Sequence, residues 1–262
     1  MPELAELRLS SDSINTTTRG KVFTHIKKNP EHKGLDIEKP YDNFTIESLS
    51  RGKELLLILQ DTKTNRETSL KFTFGMAGHF KFTKTGEERK HSHLMFYTND
   101  GYTLSFVDVR RFGKWKWEGW GKDRGPDPTK DYKNFVKKIE ENLHQKAFDR
   151  PIGEALLNQA YFNGIGNYLR AEILYKTNQN PFEPAREAIK NNPKILAYCN
   201  TIPTEAIILG GGQIKQWENP FGVEPDMFQK WMICYGNKNM KQTIDGTGRR
   251  LWYDPKWKRN ED

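Results

Sequence analysis

The chain has 262 residues and a net charge of +8, with 42 Lys and Arg against 34 Asp and Glu. This length allows two domains of ordinary size, each with its own core. The positive charge favours a polyanionic partner, although ribosome-associated and membrane-surface proteins share that balance. No stretch reaches the ~18 apolar residues of a membrane span, and no signal-peptide pattern opens the chain. We therefore expect an intracellular protein that does not associate with membranes.

Metal-binding residue types are scarce. Cys199 and Cys234 are the two cysteines, too few for a disulfide framework or a zinc site with four thiolates. His91 and His93 would share one face of a strand. Without a third ligand they make a poor metal site, so we interpret them as structural or phosphate-facing. We predict no metal and no cofactor, and any finger-like element must fold without zinc.

Residues 1–120 have the pattern of a helix followed by a β-sandwich or barrel. Leu4, Leu7 and Ile14 are spaced for an amphipathic helix that begins at Glu3 and ends by Gly20. Short apolar runs divided by Gly, Asn and Asp turns predict strands within residues 21–117. The clearest runs are Leu55–Leu59, Lys71–Phe74, His93–Tyr97 and Thr103–Val107.

Residues 121–131 are rich in Gly and Pro and predict a linker, after which residues 132–262 show helical spacing. Phe135 and Ile139 begin this pattern, and Asp149 is expected to cap a helix that has Pro151 in its first turn and continues to Ala160. Further helices are predicted from residue 167 and near residues 195–199, 204–209 and 225–235. The alternation over residues 241–253 predicts a β-hairpin. The predicted fold class is α+β.

The opening Met1-Pro2-Glu3 offers a nucleophile. If Met1 is removed, Pro2 becomes a secondary amine, and α-amino groups with a pKa of ~7.7–8.0 are partly deprotonated near neutral pH. Such an amine can attack the C1′ atom of a deoxyribose and form a cationic iminium, as catalytic lysines form Schiff bases. Glu3 is placed to move protons beside it. Many chains begin Met-Pro without a catalytic reason, so the dipeptide alone decides nothing.

Two further segments suit phosphate. Gly164 and Gly166 let the backbone approach a phosphate closely, just before a predicted helix N-terminus. A plain packing corner between two helices is the alternative. Residues 237–260 are strongly basic, which is typical of a surface for the DNA backbone. The charged residues of this tail are Lys238, Lys241, Arg249, Arg250, Lys256, Lys258 and Arg259, against Asp245 and Asp254.

Several longer motifs extend over nearly the whole chain. They are Met1-Pro2-Glu3 with Glu6, Arg51–Leu55, Phe74-Gly75-Met76, Phe106–Gly113, Phe148–Ile152 and Asn163–Tyr175. In these motifs the sequence resembles the formamidopyrimidine-DNA glycosylase/endonuclease VIII family, and within it the endonuclease VIII-like glycosylases with a zincless finger. The resemblance implies an N-terminal catalytic β-sandwich domain with an N-terminal helix. It also implies a mostly helical C-terminal domain with a helix-two-turns-helix and a zincless-finger hairpin at about residues 237–257.

The resemblance implies roles for single residues. Pro2 would be the nucleophile, Glu3 the acid/base residue and Glu6 a supporting carboxylate, although an exposed helix charge is an equal reading of Glu6. Lys53, in a predicted tight turn, would contact a phosphate beside the lesion. The remaining matches are to DNA-binding residues: Met76, Arg110 and Phe112 would fill the gap left by an extruded base, and Asn167 and Arg249 would contact the backbone. Read alone, Met76 and Phe112 are more typical of a core.

Two positions depart from the family pattern. Ala5 stands where the family usually has a second proline, which matters little because the nucleophile is Pro2. Gly212 stands where close relatives have a lesion-reading lysine, so the preferred lesion stays open. The glycine-rich loop Gly210–Gly222 is predicted to form a lid over the extruded base.

The sequence therefore predicts a bifunctional DNA glycosylase and abasic-site lyase of base excision repair. It would excise oxidised bases, pyrimidines and hydantoins before 8-oxoguanine, and cleave the strand by β,δ-elimination, with β-elimination alone as the alternative. The expected partner is damaged DNA, whether duplex, bubble or single-stranded, and the expected state is a monomer. The expected location is the nucleus of a eukaryote or the cytoplasm and nucleoid of a bacterium. A catalytically silent damage-binding protein and a ribonucleoprotein component are the alternatives.

Overall fold

The computed structural model of the protein describes residues 2–212, 221 and 225–258. The chain forms two compact units: the first holds Pro2 and Glu6–Gly121 together with Gly212, and the second holds Glu3–Ala5, Lys122–Gly211 and the described residues from 225 onward. The domain boundaries given above, with residues 121–131 as a linker, stay a prediction. The predicted lid lies mostly outside the described residues, as does Arg259.

The first unit combines most of a helix, from Glu6 onward, with eight strands. Helix α1 (Leu4–Thr17) is followed by Thr18, whose backbone N–H and hydroxyl both donate to the carbonyl of Ile14. The strands are β1 (Phe23–Lys28), β2 (Phe44–Arg51), β3 (Glu54–Asp61), β4 (Glu67–Thr73), β5 (His79–Lys84), β6 (Ser92–Thr98), β7 (Tyr102–Val107) and β8 (Lys114–Trp117).

The strands pair antiparallel in the order β5-β7-β6-β1-β2-β3-β4-β8. β1 and β2 share the single register pair Phe23↔Phe44, so the sheet consists of two four-stranded halves. The ring of Phe72 on β4 lies 5.0 Å from that of Phe80 on β5 and 5.2 Å from that of Phe106 on β7. The halves therefore face each other across an apolar core, which confirms the predicted sandwich.

The two-residue period of the strands decides which side chains enter this core. In β2, Phe44, Ile46, Ser48 and Ser50 are buried and their neighbours are more exposed. β3 pairs with β2 in the register Ile46↔Leu59 and Ser48↔Leu57. Side chains that alternate along a strand and face their partners across the pair share one face of the sheet, so the apolar pattern fixes the register.

The second unit is mostly helical and ends in a hairpin, as predicted. Its helices are α2 (Tyr132–Asn142), α3 (Ile152–Ala155), α4 (Asn167–Lys176), α5 (Ala185–Asn191), α6 (Lys194–Ile208) and α7 (Pro225–Trp231), with a 3₁₀ turn at Lys146–Phe148. Strands β9 (Lys241–Ile244) and β10 (Arg250–Tyr253) form the hairpin. Among the described residues, no helix combines the length and apolar character that a membrane crossing needs.

Three predictions about these helices were wrong or incomplete. Asp149 does not cap a helix: it pairs with Arg186 at 2.6 Å, and α3 begins after Pro151 without a side-chain cap. The helix that was expected to reach Ala160 ends at Ala155, because tight backbone turns follow. The two helices predicted within residues 195–209 are one continuous helix with Pro203 inside it, and α5 had not been predicted.

Candidate active site

Glu3 is held at the N-terminus of α4. Its side chain is 2% exposed, and its two carboxylate oxygens accept backbone N–H bonds from Gly166 at 2.7 Å, Tyr168 at 3.0 Å and Leu169 at 3.3 Å. The first N–H groups of a helix have no partner within the helix and carry a partial positive charge. They orient the Glu3 carboxylate.

The glycines of the predicted phosphate turn shape this N-terminus. Gly164 has φ +102°, a conformation that residues with a side chain rarely adopt, and its carbonyl accepts the N–H of Leu4 at 3.1 Å. Asn163 donates its side-chain N–H to the carbonyl of Gly125 at 2.8 Å. The turn thus anchors the segment that carries Glu3, in addition to presenting its N–H groups.

Pro2 and Glu6 both belong to the first unit, and both are buried. Glu6 is 0% exposed and accepts the backbone N–H of Gly212 at 2.7 Å. The reading of Glu6 as an ordinary exposed helix charge is therefore wrong. Whether Glu6 takes part in chemistry stays a prediction, as does the nucleophilic role of Pro2.

Lys53 occupies the two-residue turn between β2 and β3. Gly52 has φ +55°, and the turn closes on the register pair Arg51↔Glu54, so the predicted tight turn is present. Glu54 is 2% exposed and is paired with Arg51 at 3.0 Å and with Lys71 at 3.4 Å. This ion-pair network, which sequence reasoning did not find, fixes the base of the turn that carries Lys53.

Met76, Arg110 and Phe112 lie in two adjoining turns of the first unit, which we call the exposed turn cluster. Met76 is 39% exposed and Phe112 is 53% exposed. The guanidinium of Arg110 lies over the ring of Phe112, 5.1 Å from its centroid. A Cβ atom on Gly75 would lie 2.7 Å from the backbone carbonyl carbon of Phe112, so the two turns are in close backbone contact. The reading of Met76 and Phe112 as core residues is therefore wrong.

Asp108 stabilises the turn that carries Arg110 and Phe112. It is 0% exposed, and its carboxylate accepts the backbone N–H groups of Arg110 at 3.0 Å and Gly113 at 2.7 Å. Sequence reasoning did not single out Asp108. An aspartate between a strand and a glycine is a signal for a side chain that bonds the backbone two residues on, and it would have identified this residue.

Two buried histidines, His93 and His32, lie near Asp108. His93 donates from Nε2 to the backbone carbonyl of Asp108 at 2.8 Å, and its ring lies 4.7 Å from the ring of His32. Burial is the main cause that lowers the pKa of both imidazoles below the usual 6.5, and the charge of Arg111 acts in the same direction. His93 is thus structural rather than phosphate-facing, while His91 is half-buried.

Asn167 and Arg249 belong to the second unit. Asn167 is the first residue of α4, and its side-chain oxygen is buried without a hydrogen-bond partner among the described residues. Arg249 is exposed beside the hairpin turn and lines a cavity of about 510 Å³ together with Lys146, Arg150 and Thr247. In the part of the chain that the structure describes, no group of three or more His, Cys, Asp or Glu side chains could hold a metal ion.

Comparison with known proteins gives matches at both ends of the chain. Residues 1–115 match the family described as Formamidopyrimidine-DNA glycosylase N-terminal domain, and residues 226–256 match Endonuclease VIII-like 1, DNA bind. Endonuclease 8-like 1 of Homo sapiens is 38% identical over 97% of this chain and 72% of its own length. Formamidopyrimidine-DNA glycosylase of Halalkalibacterium halodurans is 32% identical over 91% of this chain and 89% of its own length.

Solved structures share the fold. The MutM (Fpg) protein of Thermus thermophilus is 23% identical, with a TM-score of 0.77 over 97% of this chain and 98% of its own. A Lactococcus lactis FPG mutant in complex with a Fapy-dG containing DNA is also 23% identical, with a TM-score of 0.82 over the same shares. The structural matches show the fold, and the sequence matches show the relationship. The chain belongs to the formamidopyrimidine-DNA glycosylase/endonuclease VIII family.

Proposed function

We propose that the protein is a bifunctional DNA glycosylase and abasic-site lyase that uses Pro2, freed by removal of Met1, as its nucleophile. The observation that carries the proposal is the cradle of Glu3: a buried carboxylate, adjacent in the chain to Pro2, that accepts three backbone N–H groups at a helix N-terminus. The relatives named Endonuclease 8-like 1 and Formamidopyrimidine-DNA glycosylase support the same class of reaction.

In the first step, the Pro2 nitrogen attacks C1′ of the damaged nucleotide. The bond from C1′ to the base breaks, the base leaves with a proton taken from water, and the Pro2 nitrogen, which still carries its own proton, is bonded to C1′. Glu3 is proposed to take that proton from the Pro2 nitrogen and to give it to the ring oxygen. The bond from C1′ to the ring oxygen then breaks, the sugar ring opens, and an iminium joins the Pro2 nitrogen to C1′.

In the second step, the iminium acidifies the C2′ proton. Glu3 removes that proton, a C2′–C3′ double bond forms, and the 3′ phosphate leaves by β-elimination. In a following δ-elimination the C4′ proton is lost and the 5′ phosphate leaves. Water then hydrolyses the iminium, which releases the unsaturated sugar fragment as an aldehyde and frees Pro2. A carboxylate held by N–H donors is suited to this task because it is oriented before the substrate arrives.

The DNA contacts are proposed from the same set of residues. Lys53, Asn167 and Arg249 would hold the phosphate backbone, whereas the exposed turn cluster would enter the stack once the damaged nucleotide is extruded. The high exposure of Met76 and Phe112 supports a role as wedges, and Arg110 can hydrogen-bond the orphaned base. The protein would act as a monomer, in the nucleus of a eukaryote or in the cytoplasm and nucleoid of a bacterium.

Oxidised pyrimidines and hydantoins are the proposed lesions. The support is that the sequence identity is higher to an Endonuclease 8-like 1, at 38%, than to a Formamidopyrimidine-DNA glycosylase, at 32%. Duplex, bubble and single-stranded substrates that carry one oxidised pyrimidine, one hydantoin or one 8-oxoguanine would rank this preference by excision rate.

The decisive experiment is borohydride trapping of the full chain on an oligonucleotide with one abasic site. We expect a covalent adduct whose peptide begins at Pro2. Pro2→Ala should lose the adduct and keep most of the DNA affinity, because the backbone contacts lie elsewhere.

Other outcomes separate the alternatives. Tight binding to damaged DNA without an adduct would favour a silent damage-binding protein, and stronger binding to RNA than to lesion-bearing DNA would favour a ribonucleoprotein component. Undiminished lyase activity in Pro2→Ala would overturn the assignment of the nucleophile.

A further inference from the structure

Arg170 is a fully buried guanidinium in α4. Its side chain is 0% exposed, and it donates from one terminal nitrogen to Asp245 at 2.5 Å and to the carbonyl of Gly153 at 2.7 Å. The other terminal nitrogen donates to the carbonyl of Arg250 at 2.9 Å. One side chain therefore joins α4 to the backbone at α3 and to both sides of the hairpin turn.

Asp245 connects this guanidinium to Arg249. Its carboxylate accepts the backbone N–H and the hydroxyl of Thr247 at 2.9 and 2.6 Å, and the backbone N–H of Arg249 at 2.9 Å. Burial disfavours the ionised form, but the hydrogen bonds from Thr247, Arg249 and Arg170 outweigh it and lower the pKa of Asp245 below the usual 3.8. The carboxylate is thus charged and held from both sides.

A second carboxylate grips the tip of the same turn. Glu154 of α3 accepts the backbone N–H of Gly246 at 2.7 Å, and a Cβ atom on Gly246 would lie 2.7 Å from a Glu154 oxygen. On the other side, Leu251 and Tyr253 of β10 are buried in the helical core. A hairpin of two four-residue strands is marginal alone, so these anchors decide where its turn lies.

We propose that Arg170 is a positioning residue for Arg249, acting through Asp245. The inference rests on the proposed function, in which Arg249 contacts the DNA backbone. The backbone N–H of Arg249 is bound by Asp245, and the carbonyl of the next residue is bound by Arg170, so the segment that carries the Arg249 side chain is fixed at two adjacent points. Loss of the two-pronged guanidinium of Arg170 would leave the carbonyl of Arg250 without this donor, loss of its charge would leave Asp245 buried and uncompensated, and in either case the turn would move.

The test uses the full chain and three variants: Arg170→Lys, Arg249→Gln and the double variant. Lys replaces Arg170 because it keeps the positive charge but lacks the two terminal nitrogens of the guanidinium. Met would lose the charge and endanger folding. Hydrogen exchange would follow the amides of Thr247 and Arg249 in each free protein. Binding to an abasic-site duplex would be measured over a range of salt concentrations. Phe135→Leu serves as the control, because it weakens the core of the same unit without touching the hairpin.

We expect Arg170→Lys to speed exchange at Thr247 and Arg249 by about tenfold while the amides of α2 keep their rates. Its affinity for DNA should fall by about tenfold, with a salt slope smaller by about one phosphate contact, as in Arg249→Gln. The double variant should bind no more weakly than Arg249→Gln alone, because both changes remove the same contact. Phe135→Leu should leave the salt slope unchanged.

Two results would overturn the inference. One is full affinity and full salt slope in Arg170→Lys while Arg249→Gln binds weakly, and the other is faster exchange spread evenly over the helical unit. If Arg249→Gln itself binds DNA as tightly as the unaltered chain, the DNA role of Arg249 fails, and the exchange rates of the hairpin amides still decide whether Arg170 fixes the turn.

Discussion

The Glu3 cradle and the exposed turn cluster differ in the kind of side chain that is buried or exposed. Glu3 is 2% exposed and its carboxylate is bound by three backbone N–H groups, whereas Met76 and Phe112 present 39% and 53% of their surface to solvent. The polar side chain is buried and the apolar ones are exposed, the reverse of what burial energetics favours.

Both inversions have the same physical origin. A buried carboxylate is tolerable where donors aimed at it replace water, and these donors then fix its direction. The exposed aromatic ring of Phe112 lies on a turn whose backbone N–H groups are bound by Asp108 and whose backbone is closely approached by Gly75. Hydrogen bonds therefore orient a buried carboxylate in the first region, and in the second they hold a turn whose apolar side chains are exposed.

The largest effect is expected from Glu3→Gln. A glutamine offers one oxygen to the N–H groups of Gly166, Tyr168 and Leu169 and turns an NH₂ group toward the rest. It also cannot exchange the proton, so excision should fall by about 10²–10⁴-fold. Single-turnover excision of an oxidised pyrimidine measures this, with Glu140→Gln on the exposed face of α2 as the control. Excision within tenfold of the unaltered chain would remove Glu3 from the chemistry.

A smaller effect is expected from Phe112→Ala, and it should depend on the substrate. Stacking of a base on an aromatic ring contributes about 1–3 kcal/mol, so excision from duplex DNA should fall by about tenfold or more. Single-stranded DNA has no gap to fill, and its excision rate should hardly change. Leu35→Ala is a matched control, because Leu35 is 54% exposed in the same unit. Equal losses on both substrates would speak against a wedge.

Much of the fold could be read from the sequence because its signal is local. Short continuous apolar runs predict the strands around Leu57 and Phe96, and the spacing of Phe135 and Ile139 predicts α2. The start of α3 was predicted wrongly because a tertiary contact decides it. The carboxylate of Asp149, suited to a cap, is taken by Arg186 from another helix.

The candidate site divides in the same way. Pro2, Lys53 and the glycines at 164 and 166 could be proposed as site residues from their residue types and their near neighbours in the sequence. The donors to Glu3 lie 163 to 166 residues further along the chain, and the partner of Arg170 lies 75 residues away. No spacing rule reaches that far. The available signal for Arg170 was its place, with Glu172, among the apolar residues of Leu169–Leu174.

The smallest predicted effect concerns the support of the exposed turn cluster and its response to acid. His32 and His93 are buried, and Lys28 and Arg111 add to the burial that lowers the pKa of His32, against the opposing charge of Asp108. Since the folded pKa lies below 6.5, the unfolded chain binds more protons between the two values. The stabilisation is complete above the unfolded pKa and is lost as the pH falls toward the folded one.

Acidification from about pH 7.5 to about pH 5.5 should therefore lower the free energy of unfolding of the first unit, by no more than about 1.4 kcal/mol per histidine for each pH unit below the unfolded pKa. His32→Gln should flatten this dependence, whereas His25→Gln, at an exposed position of β1, should keep it. Hydrogen exchange at the amides of β6 and β7 reports the change within the first unit. If His32→Gln and the unaltered chain showed the same pH dependence, His32 would not contribute to it. The turn that carries Arg110 and Phe112 would then be held by Asp108 without help from His32.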